Sequence, residues 1–422
     1  MRSMIMSPLE NFVFSLRGPD VPGAEILDDL RGDPAQVFVF RAYRMVGLWL
    51  ATEDHLRPTL FHIEDLETLS LQIVEQADFC TGPEAENPSA GLVVLITEMV
   101  QPKPDLSGMA LGALVVAEWA FGFDHIRTAL AYSRLAAAVA NNSRFAWLTA
   151  RHLRTYGFSE ESETWFHVAH AAATQEGDWD TKARAVMGLG VLSFNSGSYP
   201  QARQRFEFAL RVATRYGVRA RVGEIHHHLF TIGVAMTDHA LAEREAHLVL
   251  DHYRHSHPRL PHFAHDLAAY WTGRGDYANA LVLLRQLLSR NYFEHEPDAE
   301  LLTFAWGARA AAGAGDVVCF TRFFAEARGR IAAAPSESLA VAQALLLLAR
   351  GALSLERWVV ARNCLVEALA EGERTGQGYV KIHGEELLAN VDQRLRAEPR
   401  FLGSANAPVA KRAVTLLMRR AS

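Results

Sequence analysis

The sequence predicts an all-α chain, a right-handed α-α superhelical solenoid of stacked helix pairs. Three observations carry that expectation. Half of the 422 residues are hydrophobic, ample surface to bury, which excludes disorder over most of the chain. Apolar residues recur at helical spacing, and no sustained period-two alternation supports a sheet. A turn-then-helix pattern also returns about every forty residues, as expected of units that cannot bury their apolar faces alone.

Residues 35–57 and 59–79 read as two apolar-periodic helices broken at Arg57-Pro58. Pro83, Pro88, Pro102 and Pro104 punctuate 81–107, the most loop-like interval. The expected organisation is an N-terminal helical segment over 1–107, a repeat array over 108–378 and C-terminal capping helices over 379–422.

Residues 183–216, ARAVMGLGVLSFNSGSYPQARQRFEFALRVATRY, show the repeat most plainly. Gly197-Ser-Tyr199, followed by Pro200, suits a tight turn that ends one helix and starts the next. Ala202, Phe206 and Ala209 then share one helical face. The spacing recurs at Ser162, Phe166 and Ala169, at Ala280, Leu284 and Leu287, at Phe320, Phe324 and Ala327, and at Ala361, Leu365 and Ala368. A weaker copy runs through Ala129, Ser133 and Ala136, and another anchor is expected near Leu241. Small residues at Gly190, Ala268, Ala308 and Ala349 would let the paired helices approach closely.

Gly190, Gly197, Tyr199, Ala202, Phe206 and Ala209 together resemble the tetratricopeptide-repeat family, and Gly275, Tyr277 and Ala280 match its turn again. The resemblance covers about residues 108–378 and is degenerate outside those two repeats. Units longer than the family's ~34 residues look like those of bacterial signal-sensing regulators. The resemblance implies binding along a concave face lined by the first helix of each pair. In that register Arg151, Arg309 and Arg350 take the ninth position, Arg144 and Arg184 the second, Arg154 lies beside Arg151, and Trp147 takes an adjacent groove position. This basic groove, on a chain of net charge −6, would suit a protein or peptide rich in carboxylates. The expected function is a non-catalytic scaffold or sensor. The alternative is a regulatory component acting through a partner, because no helix-turn-helix precedes the array.

Ten of the 18 histidines lie between 226 and 265. His252, His255, His257, His262 and His265 form the tightest set, a weak candidate for zinc or nickel. A metal-dependent hydrolase on that tract is the third reading, and no cofactor is expected. The chain carries no HExxH, GxSxG or GxxxxGK[ST]. Direct nucleic-acid binding is not expected of a mildly acidic chain, and the oligomeric state is left open. Cys80, Cys319 and Cys364 are scattered, which fits buried thiols in a reducing, cytoplasmic compartment. No stretch has the length and apolarity of a membrane span. Near the C-terminus Lys411, Arg412, Arg419 and Arg420 alternate with Val409, Val414, Leu416 and Leu417, a pattern expected to cap the array's end.

Overall fold

The computed structural model describes residues 23–75, 88–335, 338–392 and 412–417. Among the described residues there is no strand. Two compact units, Met1–Ile225 and His226–Ser422, divide the chain inside one helix.

The first unit opens with α1 (Ala24–Asp29), α2 (Gln36–Ala51), a 3-10 turn at Arg57–Thr59 and α3 (Ile63–Glu75). The two helices expected here are present, and the Arg57-Pro58 break is that single turn. Arg57 fixes it: Nε donates to the Trp49 carbonyl at 2.9 Å, and the guanidinium lies 4.2 Å over the Trp49 ring. The loop-like interval 81–107 needs correction, because α4 (Ser89–Glu98) occupies its centre. Its sequence, SAGLVVLITE, is apolar nearly all round, so no polar face betrays a helical period. Gly91 lies against α5 (Leu106–Gly122), where an added Cβ would meet the Gly112 carbonyl oxygen at 2.4 Å. Cys80 lies outside the described residues.

From α5 onward the unit is a run of tetratricopeptide-like pairs. These are α5 with α6 (Ile126–Ala140), α7 (Ser143–Thr155) with α8 (Ser159–Glu176), and α9 (Trp179–Asn195) with α10 (Tyr199–Arg215). First helices also pack on first helices, α7 against α9. The second unit continues from α11 (Arg219–Ala235), the helix that contains the division, to α12 (His239–His252), α13 (Leu260–Gly273) and α14 (Tyr277–Ser289). It ends with α15 (Pro297–Gly313), α16 (Val317–Ala333), α17 (Ala340–Ser354), α18 (Trp358–Arg374) and α19 (Gly378–Asp392). There α13 packs on α15, α15 on α17, and α17 on α19.

Local chemistry explains the turns. Gly197 adopts a φ of +76° and Gly275 one of +81°, the left-handed region open to glycine without penalty. At the first turn the Ser198 amide donates to the Ser193 carbonyl at 2.8 Å and the Gly197 amide to Phe194 at 2.9 Å. This pair of bonds is a Schellman closure, which satisfies the last carbonyls of α9. The next residue begins the following helix, and in several repeats an aspartate caps it. Asp178, Asp238 and Asp316 accept from the amides of Thr181, Leu241 and Cys319 at 2.9–3.0 Å.

Burial supports the register. Ala129, Ser162, Ala202, Ala280, Phe320 and Ala361 are all buried. Near Leu241 the close-packed residue is Ala242, whose amide nitrogen would stand 2.6 Å from a Cβ placed on Gly233. The turn there is hard to see in sequence because Thr237, not glycine, holds the left-handed position, with φ +55°.

Residues 412–417, expected to cap the array's end, seat elsewhere. Ala413 and Leu417 join the second unit's core, Tyr292 donates to the Leu417 carbonyl at 2.7 Å, and Arg412 pairs with Asp251. The helix that stacks on α17 and α18 is α19. Lys411, Val409, Arg419 and Arg420 lie outside the described residues.

Two stability outcomes follow. Replacing Thr237 by glycine relieves a β-branched residue of a left-handed φ and should raise the urea midpoint by the equivalent of about 0.5–1 kcal/mol. An unchanged midpoint would show that the turn is unstrained. Ala280→Leu should overpack the contact between α13 and α14 and lower stability by about 1–3 kcal/mol, read by the same titration.

Candidate functional site

Among the described residues of the first unit, α7 presents a basic surface. Its sequence, SRFAWLTARHLRT, contains no carboxylate. Asn142 starts the helix by accepting from the Phe145 amide at 3.2 Å. Phe145, Ala146, Thr149, Ala150 and Leu153 are buried, so Arg144, Trp147 and Arg151, spaced three and four apart, fall on another face. Arg144 and Arg151 are exposed and Trp147 is half-buried. The Arg184 guanidinium of α9 sits 4.8 Å from the Trp147 ring centre, and that of Arg151 sits at 6.0 Å. Both distances are within cation–π reach.

Charge pairing then separates these arginines. Arg184 Nε lies 2.8 Å from Asp180 Oδ2, one turn earlier, while Asp180 Oδ1 accepts from Arg221 Nε at 2.7 Å. Arg221 also reaches Glu224 at 2.9 Å. Burial works against the charge of Arg221, but these carboxylates hold its proton affinity above the ordinary value. Arg144 and Arg151 differ: among the described residues neither has a carboxylate within ion-pair distance.

The structure thus brings Trp147, Arg151 and Arg184 together on two adjacent helices, while Arg144 stands about one turn before Trp147 with its guanidinium 6.0 Å from the Phe145 ring centre. Arg154 is half-buried near the end of α7. Arg309 and Arg350 belong to the second unit. Arg309 departs from its expected place in a groove: it is buried, 2% exposed. There α17 presses on α15 so closely that a Cβ on Gly351 would stand 3.3 Å from the Arg309 Cα. Arg350 is half-buried.

The histidine tract resolves into pairs. His226 Nδ1 meets Glu245 at 2.6 Å, His227 Nε2 meets Asp266 at 2.8 Å, and His262 Nε2 meets Glu296 at 2.9 Å. Each pair joins two different elements. Burial would raise the carboxyls of Glu245 and Asp266, yet hydrogen bonds from His226 and His227 hold both below the usual range. Thr303 donates its hydroxyl proton to the Ala299 carbonyl at 2.6 Å, so its oxygen accepts from His265 Nδ1 at 2.9 Å. His252 stacks near His226, with ring centres 5.6 Å apart, and His257 lies on Tyr253 at 3.8 Å. His255 lies in the connection before α13. Among the described residues no three histidine, cysteine, aspartate or glutamate side chains converge as a metal site would require.

Sequence reasoning missed a relay of serine, histidine and glutamate. Ser133 Oγ lies 2.8 Å from His152 Nδ1, and His152 Nε2 lies 3.3 Å from Glu118. It has the composition of a nucleophilic triad but not its chemistry. Ser133 is fully buried, and its hydroxyl already donates to the Ala129 carbonyl at 2.9 Å. His152 therefore donates its Nδ1–H to Ser133, the reverse of what activation of a nucleophile needs, while its Nε2 side faces Glu118. The relay ties α5, α6 and α7 together. Ser133 follows Ala129 by one helical turn, but nothing in the sequence pairs it with His152.

Cys364 is buried, and burial pushes its thiol up to about 11; Cys319 is half-buried and also free. No helix among the described residues is long and apolar enough to cross a membrane.

No protein-family model matches the chain, and no curated protein matches it. Among solved structures it is similar to the Rap conjugation gene regulator of the plasmid pLS20 in complex with the Phr* peptide. That likeness has 12% identity, 80% of this chain and 96% of that one covered, and a TM-score of 0.49. A Rap protein complexed with competence and sporulation factor is similar at 11% identity, 84% and 98% coverage, and 0.45. Yeast Tom70 is similar at 14%, 93% and 87%, and 0.39.

Burial holds His265 below the ordinary histidine range, while the unfolded chain keeps a value of about 6.5. As pH falls the unfolded state takes up that proton first, so this contribution is complete above about pH 6.5 and is lost as pH falls towards the folded value. The urea midpoint should therefore drop between about pH 7 and 5.5, and His265→Gln should flatten part of that drop. An unaltered slope in the variant would mean that other groups govern the acid limb.

Proposed function

We infer that the chain is a non-catalytic recognition module that holds an acidic peptide or protein segment on the face of α7 and α9. The observation that supports this reading is the pair Arg144 and Arg151. Both are exposed, and among the described residues neither has a carboxylate within ion-pair distance, although the charge of Arg151 is felt at Glu118. Along α7 they stand on either side of an indole that Arg184 stacks. Seven residues separate them, about 10 Å along a helix axis. An extended, polyproline-like peptide rises roughly 9 Å over three residues and brings residues i and i+3 to one side. The reading is therefore specific. The ligand presents two carboxylates at i and i+3, and its backbone between them crosses Trp147. Guanidinium groups grip carboxylates through paired hydrogen bonds, which gives direction as well as affinity. Arg309 takes no part, because it is buried.

A labelled decapeptide library with aspartate fixed at i and i+3, measured by fluorescence anisotropy, tests this. Arg144→Glu with Arg151→Glu should weaken binding at least tenfold while leaving helicity intact. The same double variant should favour the library with lysine at those positions. Equal binding of the aspartate library by both proteins would refute the proposal.

A further inference from the structure

A second surface of the first unit lies apart from the face of α7. A cleft of ≈ 710 Å³ opens between α2 and α3, beside the Arg57–Thr59 turn. Its volume falls in the roughly 300–1,000 Å³ range of small-molecule sites. Phe40, Met45, Leu60 and Phe61 wall it, all half-buried and none sealed from solvent. Leu66 and Leu69 at its base belong to the core. The cleft is therefore an apolar concavity on an already formed scaffold.

Its rim is basic. Arg41 and Arg44 line it from α2, and both are exposed. Three other arginines of this unit are answered: Arg134 by Glu161 at 2.7 Å, Arg205 by Glu163 at 3.0 Å, and Arg221 by Asp180 at 2.7 Å. Among the described residues Arg41 and Arg44 have no carboxylate within ion-pair distance, although Asp65 lines the same cleft. Two guanidinium groups thus face one carboxylate. Val37 and Leu48 continue the stripe at spacings of four residues on either side, and both are more than half exposed. The solvent face of α2 is apolar at its ends and cationic in its middle.

Neither a purely apolar molecule nor a small inorganic anion satisfies both halves of this surface. Covering Phe40, Leu60 and Phe61 removes apolar area from water, and a guanidinium pair is matched by an oxyanion. We propose that the cleft binds an amphiphilic anion. Its carboxylate, sulfonate or phosphate head lies at Arg41 and Arg44, and its apolar tail lies against Phe40, Met45, Leu60 and Phe61. The site is independent of the peptide face, so either assignment stands or falls alone. An occupant would bridge α2 and α3. Because Tyr132 of α6 donates to the Val39 carbonyl of α2 at 2.6 Å, binding at this end is mechanically joined to the first repeat pair.

The full chain titrated with 8-anilinonaphthalene-1-sulfonate tests the proposal. Expected is a saturable fluorescence rise that dodecanoate reverses and that neither dodecanol nor dodecyltrimethylammonium reverses at the same concentration. Arg41→Glu with Arg44→Glu, both at exposed positions, should weaken the dye at least tenfold with unchanged helicity. Arg144→Glu with Arg151→Glu should leave it unchanged. Sedimentation with phosphatidylglycerol vesicles separates a lipid headgroup from a free amphiphile. Pelleting that depends on Arg41 and Arg44 assigns the head to a bilayer, and its absence alongside dodecanoate binding assigns it to a dissolved molecule. Dye binding that survives the Arg41 and Arg44 reversal, or displacement by the cation as readily as by dodecanoate, overturns the proposal.

Discussion

Neighbouring helices come so close that one of them has no room for a side chain. A Cβ on Gly190 would stand 2.6 Å from the Phe206 ring, one on Gly188 2.3 Å from Phe166, and one on Gly313 2.5 Å from Tyr277. An aromatic side chain of the neighbouring helix fills the space that the glycine leaves. This contact sets the distance between helices, and interiors packed to crystal-like density tolerate little change in it. It also dictates the turns. Two helices this close are joined by connections of a few residues, which require a left-handed position such as Gly197 and an immediate restart.

Once those faces are consumed by packing, what remains outside is decided. Phe145, Ala146 and Ala150 turn inward on α7, which leaves Arg144, Trp147 and Arg151 on another side. The exposed face is set by exclusion, from whatever the buried stripe does not use. Buried polar groups then tie neighbouring helices together. Ser162 donates to the Ala150 carbonyl at 2.7 Å, Thr149 to Ser133 at 2.7 Å, and His226 meets Glu245 across α11 and α12. Each such bond leaves a penalty if one partner is lost, because the other stays buried and unsatisfied. The dense histidine tract belongs to this structural class, as carboxylate and hydroxyl partners take up His226, His227, His262 and His265.

The two proposed ligand surfaces are legible to different degrees. The Arg144, Trp147 and Arg151 stripe is visible as spacing within one helix, and so is the pairing of Asp180 with Arg184 one turn later. The cleft at Arg41 and Arg44 is not. Helical periodicity shows that α2 and α3 exist, but not that they stand apart enough to leave apolar walls open between them.

Sequence alone determined the all-α class, the helix pairs, the glycine turns and the buried anchors from Ala129 to Ala361. Each of these is written in residues close together along the chain: a 3.6-residue period, a small side chain, a residue tolerant of positive φ. Tertiary structure alone decided that Arg309 is buried, that α4 is a helix, that Thr237 can hold a glycine's place, and that residues 412–417 seat beside Tyr292 and Asp251. It also decided which charges meet, as with Arg221 and Asp180, 41 residues apart. Periodicity says which side of a helix faces inward. It does not say which neighbour arrives there, and burial and charge pairing depend on that neighbour.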